Sequence, residues 1–183
     1  MTLLTAHTLL FQQVTAMMSN DFAIQDGEGE VAGYVHTHGS LGSLLAKGSR
    51  HFTITDADDQ PVLMVRDPLN FVRDTFVLEN PDGTEFGQVR KRFTFFNQRL
   101  DINLATGETI ELKGNLLGLD FDLNMQGSVM ARVSRKWAGL AKGLLGRSTY
   151  ALIFKPETSP ELRKAIIGAM IALDLVRRKE NNN

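Results

Sequence analysis

The strongest concentration of chemistry-bearing side chains in this 183-residue chain is cationic. Arg90, Lys91 and Arg92 stand in succession, Arg135 and Lys136 are adjacent, and Lys142 and Arg147 flank a stretch rich in Gly and Leu. Anionic headgroups need several converging cations, each contributing about 1 kcal/mol near a charged surface. Residues 41–47 and 137–146 both mix Leu, Gly and Lys, and apolar loop tips beside cations suit a peripheral membrane binder. The same cations have an ordinary alternative role, which is to keep strand edges soluble and block edge-to-edge pairing. Both readings stand at the level of sequence.

Other chemistries meet obstacles. Asp56, Asp58 and Asp59 form the one acidic knot, but a calcium loop needs glycine at its sixth position and glutamate at its twelfth. Counted from Asp56 these are Pro61 and Asp67, which leaves a strand turn. His36 and His38 share a face if they lie on one strand, which a transition metal could use, and His51 is the candidate third ligand. No fuller ligand set follows, and no metal site is expected. With no cysteine, the chain has neither disulfides nor thiolate sites nor a cysteine nucleophile. No G-x-S-x-G occurs, and residues 42–47 lack the G-K-[ST] ending of a phosphate loop. Neither an enzyme nor a cofactor is expected. Aromatics and cations interleave across residues 92–99, as in stacking platforms for single-stranded nucleic acid. A pI near 6.4 weighs against that partner.

The elements that must carry these residues read as hairpins. Apolar and polar residues alternate along Phe22 and Ile24, Phe52 and Ile54, Phe76 and Leu78, Leu100 to Leu104, and Leu119 to Leu123. Each run meets a polar turn and returns, as half-buried antiparallel strands do. The turns near 59, 83, 107 and 127 lie 24, 24 and 20 residues apart, an internal repeat of one hairpin per unit. With a first strand near residues 9–14 and a last near 148–154, about twelve strands result, which suggests a sandwich or barrel.

The pattern then changes. Thr158 and Glu161 have capping-box spacing around Pro160, and residues 162–176 are nearly all apolar. A helix apolar on every side is buried in a core or in lipid. The longest unbroken apolar run, 165–173, has nine residues, whereas a membrane span needs about 20, so the β-structure must wrap around the helix. At 43% hydrophobic and 22% charged the composition is that of a globular protein. One domain over residues 1–179 is expected, with 180–183 a disordered tail and no leader or transmembrane segment, hence a cytoplasmic location that can be peripheral to the membrane. The net charge of −1 hides a gradient: residues 1–89 hold 4 basic and 12 acidic side chains, residues 130–179 hold 11 and 3. Folding can turn that gradient into a charged surface or interleave and cancel it.

Four segments together resemble one family. They are Arg90-Lys91-Arg92-Phe93-Thr94-Phe95-Phe96, the G-x-x-L-G-x-x-F stretch from Gly114 to Phe121, Val133-Ser134-Arg135-Lys136-Trp137, and the A-x-D-x-V helix end at Ala172, Asp174 and Val176. The chain resembles the LURP-one-related proteins, relatives of the phospholipid scramblases and the Tubby C-terminal domain, most densely over residues 85–178. The resemblance implies a mainly β, twelve-stranded antiparallel Tubby-like barrel enclosing a hydrophobic C-terminal helix. Tubby-type members bind phosphoinositides through basic surface residues. With the cationic clusters above, the expectation is a non-enzymatic barrel that binds anionic phospholipid or phosphoinositide headgroups, or a protein partner, at a basic rim of Arg90, Lys91, Arg92, Arg135, Lys136, Lys142 and Arg147. The alternative it carries is scramblase-like lipid translocation or membrane remodelling. The missing calcium loop departs from scramblase-type regulation.

Overall fold

The computed structural model describes residues 2–12, 22–38, 50–68, 75–93, 98–136 and 149–181. Twelve strands run β1 (Thr8–Gln12), β2 (Phe22–Asp26), β3 (Val31–His38), β4 (Arg50–Asp56), β5 (Pro61–Asp67), β6 (Thr75–Glu79), β7 (Glu85–Phe93), β8 (Gln98–Leu104), β9 (Thr109–Asn115), β10 (Asp120–Met125), β11 (Ser128–Ser134) and β12 (Thr149–Phe154). One helix, α1 (Pro160–Asn181), follows. Every strand pairs antiparallel with its sequence neighbours, and β1 pairs with β12 over five residues to close the barrel. Closure removes the sheet edges that an open twelve-stranded sheet would expose. The helix continues to Asn181, two residues into the stretch read as a tail.

Three turns of the sequence repeat, near 59, 83 and 107, are one and the same turn, which the Asp26–Glu30 connection uses as well. The turn near 127 differs, with both Gln126 and Gly127 at positive φ, 51 and 85°. After β2, β4, β6 and β8, the fourth turn residue donates its N–H back to the first carbonyl, and the first N–H bonds the fifth carbonyl. The pairs are Asp26 with Gly29 and Glu30, Asp56 with Asp59 and Gln60, Asn80 with Gly83 and Thr84, and Leu104 with Gly107 and Glu108. The fourth residue takes positive φ each time, at 92, 60, 84 and 92°, which is the left-handed position of a three-residue hairpin loop. Glycine fills it three times and Asp59 once, a residue type that tolerates the region. Asp56 Oδ1 also accepts the N–H groups of Asp58 and Gln60 at 3.0 and 2.9 Å. The acidic knot is therefore a turn cap, as its spacing suggested.

Antiparallel order puts all four of these turns, the Gln126-Gly127 turn and the β12–α1 linker at one end, here the tight end. The opposite end, the mouth, is where the strand ends flanking residues 13–21, 39–49, 69–74, 94–97 and 137–148 meet. The helix starts at the tight end and runs up the lumen to the mouth.

Inside, α1 is buried on all sides from Ala165 to Val176, against inward residues such as Ile24, Ile54, Leu63, Leu78, Ile102 and Leu152. Outward positions carry charge, as at Glu111, Lys113 and Arg132. That is the reverse of a lipid-facing barrel, whose outer belt is apolar. Among the described residues, no helix is long and apolar enough to cross a membrane.

The helix start differs from the sequence reading. Ser159 Oγ accepts the Leu162 N–H at 3.3 Å and is the cap, while Thr158 turns away to donate to the Met130 carbonyl at 2.6 Å. A buried hydroxyl takes whichever acceptor desolvation leaves it, and here that acceptor is on β11. Arg163 locks the same corner, donating to the carbonyls of Thr158 at 2.9 Å and Ala6 at 2.7 Å. Its guanidinium lies over the Phe154 ring, 4.6 Å from the centroid. This joins the N-terminal segment, the linker and the helix.

Gly168 marks the closest approach of helix to wall. A Cβ there would lie 2.7 Å from Leu78 Cδ2 and 2.9 Å from Leu63 Cδ1. Overpacking of this kind costs about 1–3 kcal/mol, so Gly168→Val should lower the unfolding free energy by that amount, read as a lower denaturant midpoint at unchanged m-value. A chain ending before Ser159 loses the whole lumen filling and should show no cooperative unfolding transition, which urea titration followed by tryptophan fluorescence checks.

Candidate functional site

β7 carries the first basic cluster to the mouth. Val89 faces inward and is fully buried, so Arg90 faces out and is exposed. Its Nε and Nη2 bond the neutral Gln88 amide oxygen at 3.2 and 2.8 Å. Lys91 shares the inward face with Val89 and is half-buried at the rim. Arg92 continues the strand, in register with Arg99 of β8. Arg135 and Lys136 follow β11 and are exposed, the Lys136 N–H capped by Ser134 Oγ at 3.1 Å. Lys142 and Arg147 lie outside the described residues, as do residues 41–47, 137–146 and Trp137.

The structure places Arg90, Lys91, Arg92, Arg135 and Lys136 at one end of the barrel but not in one pocket. Three strands separate β7 from β11, and at roughly 4.8 Å per strand step the two clusters sit about 19 Å apart around the wall. Residues with no motif of their own fill the arc. Arg99 is exposed on β8, and Lys113 is exposed on β9, 2.7 Å from Glu111. The acids near the mouth are buried or paired: Asp67, Asp101 and Asp174 are buried, and Arg132 lies 3.3 Å from Asp120 and 4.0 Å from Asp122. Glu28, Glu30, Asp58, Asp82, Glu108 and Glu157 instead decorate the tight end. The gradient along the chain becomes a polarity along the barrel axis, interrupted at the tight end by Lys155, which is exposed, and Lys164, which is half-buried.

Beneath the arc lies a buried polar linkage that joins helix and wall. Tyr150 of β12 is fully buried, stacked on Phe11 at 5.4 Å, and donates its hydroxyl proton to Asp174 Oδ2 at 3.0 Å. Arg177 Nη1 lies 3.7 Å from Asp174 Oδ1, and its Nη2 donates to the Leu117 carbonyl in the β9–β10 connection at 2.8 Å. The Asp of the A-x-D-x-V segment is therefore the acceptor that seats the helix end. Burial first, then the nearby Asp174 charge and the hydrogen bond to it, raises the Tyr150 phenol well above its ordinary range.

The β9–β10 connection explains the G-x-x-L-G-x-x-F segment. Gly114 sits at φ 136°, where a Cβ would lie 2.8 Å from Phe121 Cα, so only glycine lets the two strands close here. Asn115 Oδ1 accepts the Gly118 N–H at 2.8 Å, and Leu119 turns at φ 54° to donate to the Leu116 carbonyl at 3.2 Å.

The histidines do not gather into a metal site. His36 Nε2 lies 2.8 Å from Asp59 Oδ1 and 3.3 Å from Thr55 Oγ1, toward the tight end, while His38 pairs in register with His51 nearer the mouth. Among the described residues, no group of three His, Asp or Glu side chains could hold a metal ion.

Fold and site together define a closed, helix-filled antiparallel barrel with a basic mouth. The LURP-one-related family model matches residues 7–174, and the chain belongs to that family. An X-ray structure of an Arabidopsis thaliana protein is similar in fold, with a TM-score of 0.60 at 17% identity over 94% of both chains. Among curated proteins, none matches the chain.

The Tyr150 linkage has a pH signature. Unfolding frees the phenol to ionise near its ordinary value of about 10, while the folded state holds it protonated, so the unfolded state binds fewer protons above that pH. Stability from this group is complete below pH ~10 and falls as pH rises above it, by up to about 1.4 kcal/mol per pH unit. Tyr150→Phe should lack that share of the alkaline decline, as denaturant titrations between neutral pH and pH ~11 would show.

Proposed function

We propose that this protein is a non-enzymatic binding module whose mouth docks on anionic phospholipid, phosphoinositide headgroups included. The observation that supports this best is the bias of charge along the axis: Arg90, Arg99, Lys113, Arg135 and Lys136 are exposed toward the mouth, and the tight end carries exposed Glu28, Glu30, Asp58, Asp82 and Glu157 with Lys155 among them. A surface of phosphates attracts the first and repels the second, so the barrel is oriented before contact. The lumen, which even in eight-stranded barrels can enclose a small ligand, is here filled by α1, which directs recognition to the outside. Tubby-type relatives bind phosphoinositides through basic surface residues, and the cations here suit the same chemistry. The protein then works at the periphery of an anionic, cytoplasm-facing leaflet.

Co-sedimentation with neutral, anionic and phosphoinositide-containing vesicles at two salt concentrations tests the reading. The expected result is capture by the charged vesicles alone, weakened as salt rises. The combined variant Arg90→Ala, Arg135→Ala, Lys136→Ala should bind about a hundredfold more weakly, three cations at about 1 kcal/mol each. If no vesicle captures the protein at low salt, the lipid reading fails and an acidic protein partner takes its place.

A further inference from the structure

We infer that Leu117 is a built apolar anchor that enters the acyl region of the anionic bilayer on which the mouth docks; this rests on the lipid reading proposed above. Among the described residues, Leu117 and Val31 are the large hydrophobic side chains left exposed, at 52% and 37%. A lone exposed leucine is ordinary on a protein surface. What distinguishes Leu117 is how it is held and what surrounds it.

The residues on either side point inward: Leu116 and Leu119 are buried. Leu119 reaches the core only by adopting positive φ, a conformation a leucine rarely takes. The turn is further pinned by the Asn115–Gly118 hydrogen bond and by the Arg177 guanidinium on the Leu117 carbonyl itself. The backbone at this tip is therefore fixed from three sides, with Asn115 engaged in the turn's own hydrogen bond and Leu117 turned outward. Lys113 lies on β9 below the tip, Arg135 and Lys136 follow Ser134, which pairs with Asp120 at the far end of the connection, and Arg177 lies beneath. Two carboxylates lie close by, Glu111 paired with Lys113 at 2.7 Å and Asp120 paired with Arg132 at 3.3 Å. That leaves Arg135, Lys136 and Arg177 to set the charge around the apolar tip, in the vertical order of a bilayer with phosphates outside and hydrocarbon within. Val31 serves as the counterexample, since it sits at the tight end beside Glu28 and Glu30.

The absence of cysteine from the chain makes the test direct. Leu117→Cys and Val31→Cys, each carrying an environment-sensitive fluorophore, are mixed with phosphatidylcholine vesicles with and without phosphatidylserine. The expected result is a blue shift at 117 with the anionic vesicles, quenched by lipids that carry a nitroxide on the acyl chain, and no change at 31. Leu117→Ser should leave the thermal midpoint unchanged, weaken partitioning by about tenfold, and keep its salt dependence, because it removes apolar contact and no charge. A protein that co-sediments while the 117 label stays in water overturns the anchor and leaves headgroup docking standing. Failure of every vesicle to bind overturns both.

Discussion

A closed sheet of twelve strands encloses more space than its own inward side chains can fill. Eight strands make a barrel just wide enough for side chains, and the diameter grows roughly in proportion to strand number. The remaining volume has to hold something apolar, because the inward faces of these strands carry Leu, Ile, Val and Phe. The all-round apolar surface of α1 meets that need, and each element supplies what the other lacks. The barrel hides a helix that water would not tolerate, and the helix fills a lumen that would otherwise be void.

The main locks of the structure serve this arrangement at its two ends. At the tight end, Ser159 caps the helix and Arg163 draws the N-terminal segment and the linker onto it. At the mouth, Tyr150, Asp174 and Arg177 tie the helix end to β12 and to the β9–β10 connection. A buried carboxylate costs several kcal/mol unless it is paired and hydrogen-bonded, and Asp174 has both kinds of partner. The same guanidinium that satisfies the helix end also fixes the backbone of an outward leucine. Core and surface are thus linked through one residue.

Placing the helix inside leaves the outer surface as the surface open to contact. A hollow barrel offers its lumen to a ligand, and this one offers only its two ends and its outer wall. The ends are chemically unlike because their connections are unlike. Tight three-residue turns favour Asp, Asn and Gly, whose short side chains cap the turn backbone, and Asp26, Asp56 and Asp82 do so at this end. The other end is free of that demand and carries the cations.

Much of the fold was legible in the residues because its signals are local. Alternation of apolar residues, the turn residues at 59, 83, 107 and 127, and the uninterrupted apolar helix each need only a few neighbours to be recognised. The basic clusters at Arg90–Arg92 and Arg135–Lys136 were legible for the same reason. Arg99 was not, since its meaning comes from standing opposite Arg92, and cross-strand register depends on a turn whose length the pattern leaves open. Nor was the Tyr150–Asp174 bond, whose partners are 24 residues apart, or the exchange of Thr158 for Ser159 as the cap. Leu117 stood inside the G-x-x-L-G-x-x-F stretch with nothing to mark it as the exposed one of the adjacent leucines 116 and 117. The sequence by itself determined strands, turns and a helix that must be enclosed, because burial and backbone preference are read residue by residue. Only the tertiary structure decided that β1 closes on β12, that the chain's charge gradient becomes an axis, and which leucine faces water, because these depend on contacts between residues far apart in the chain.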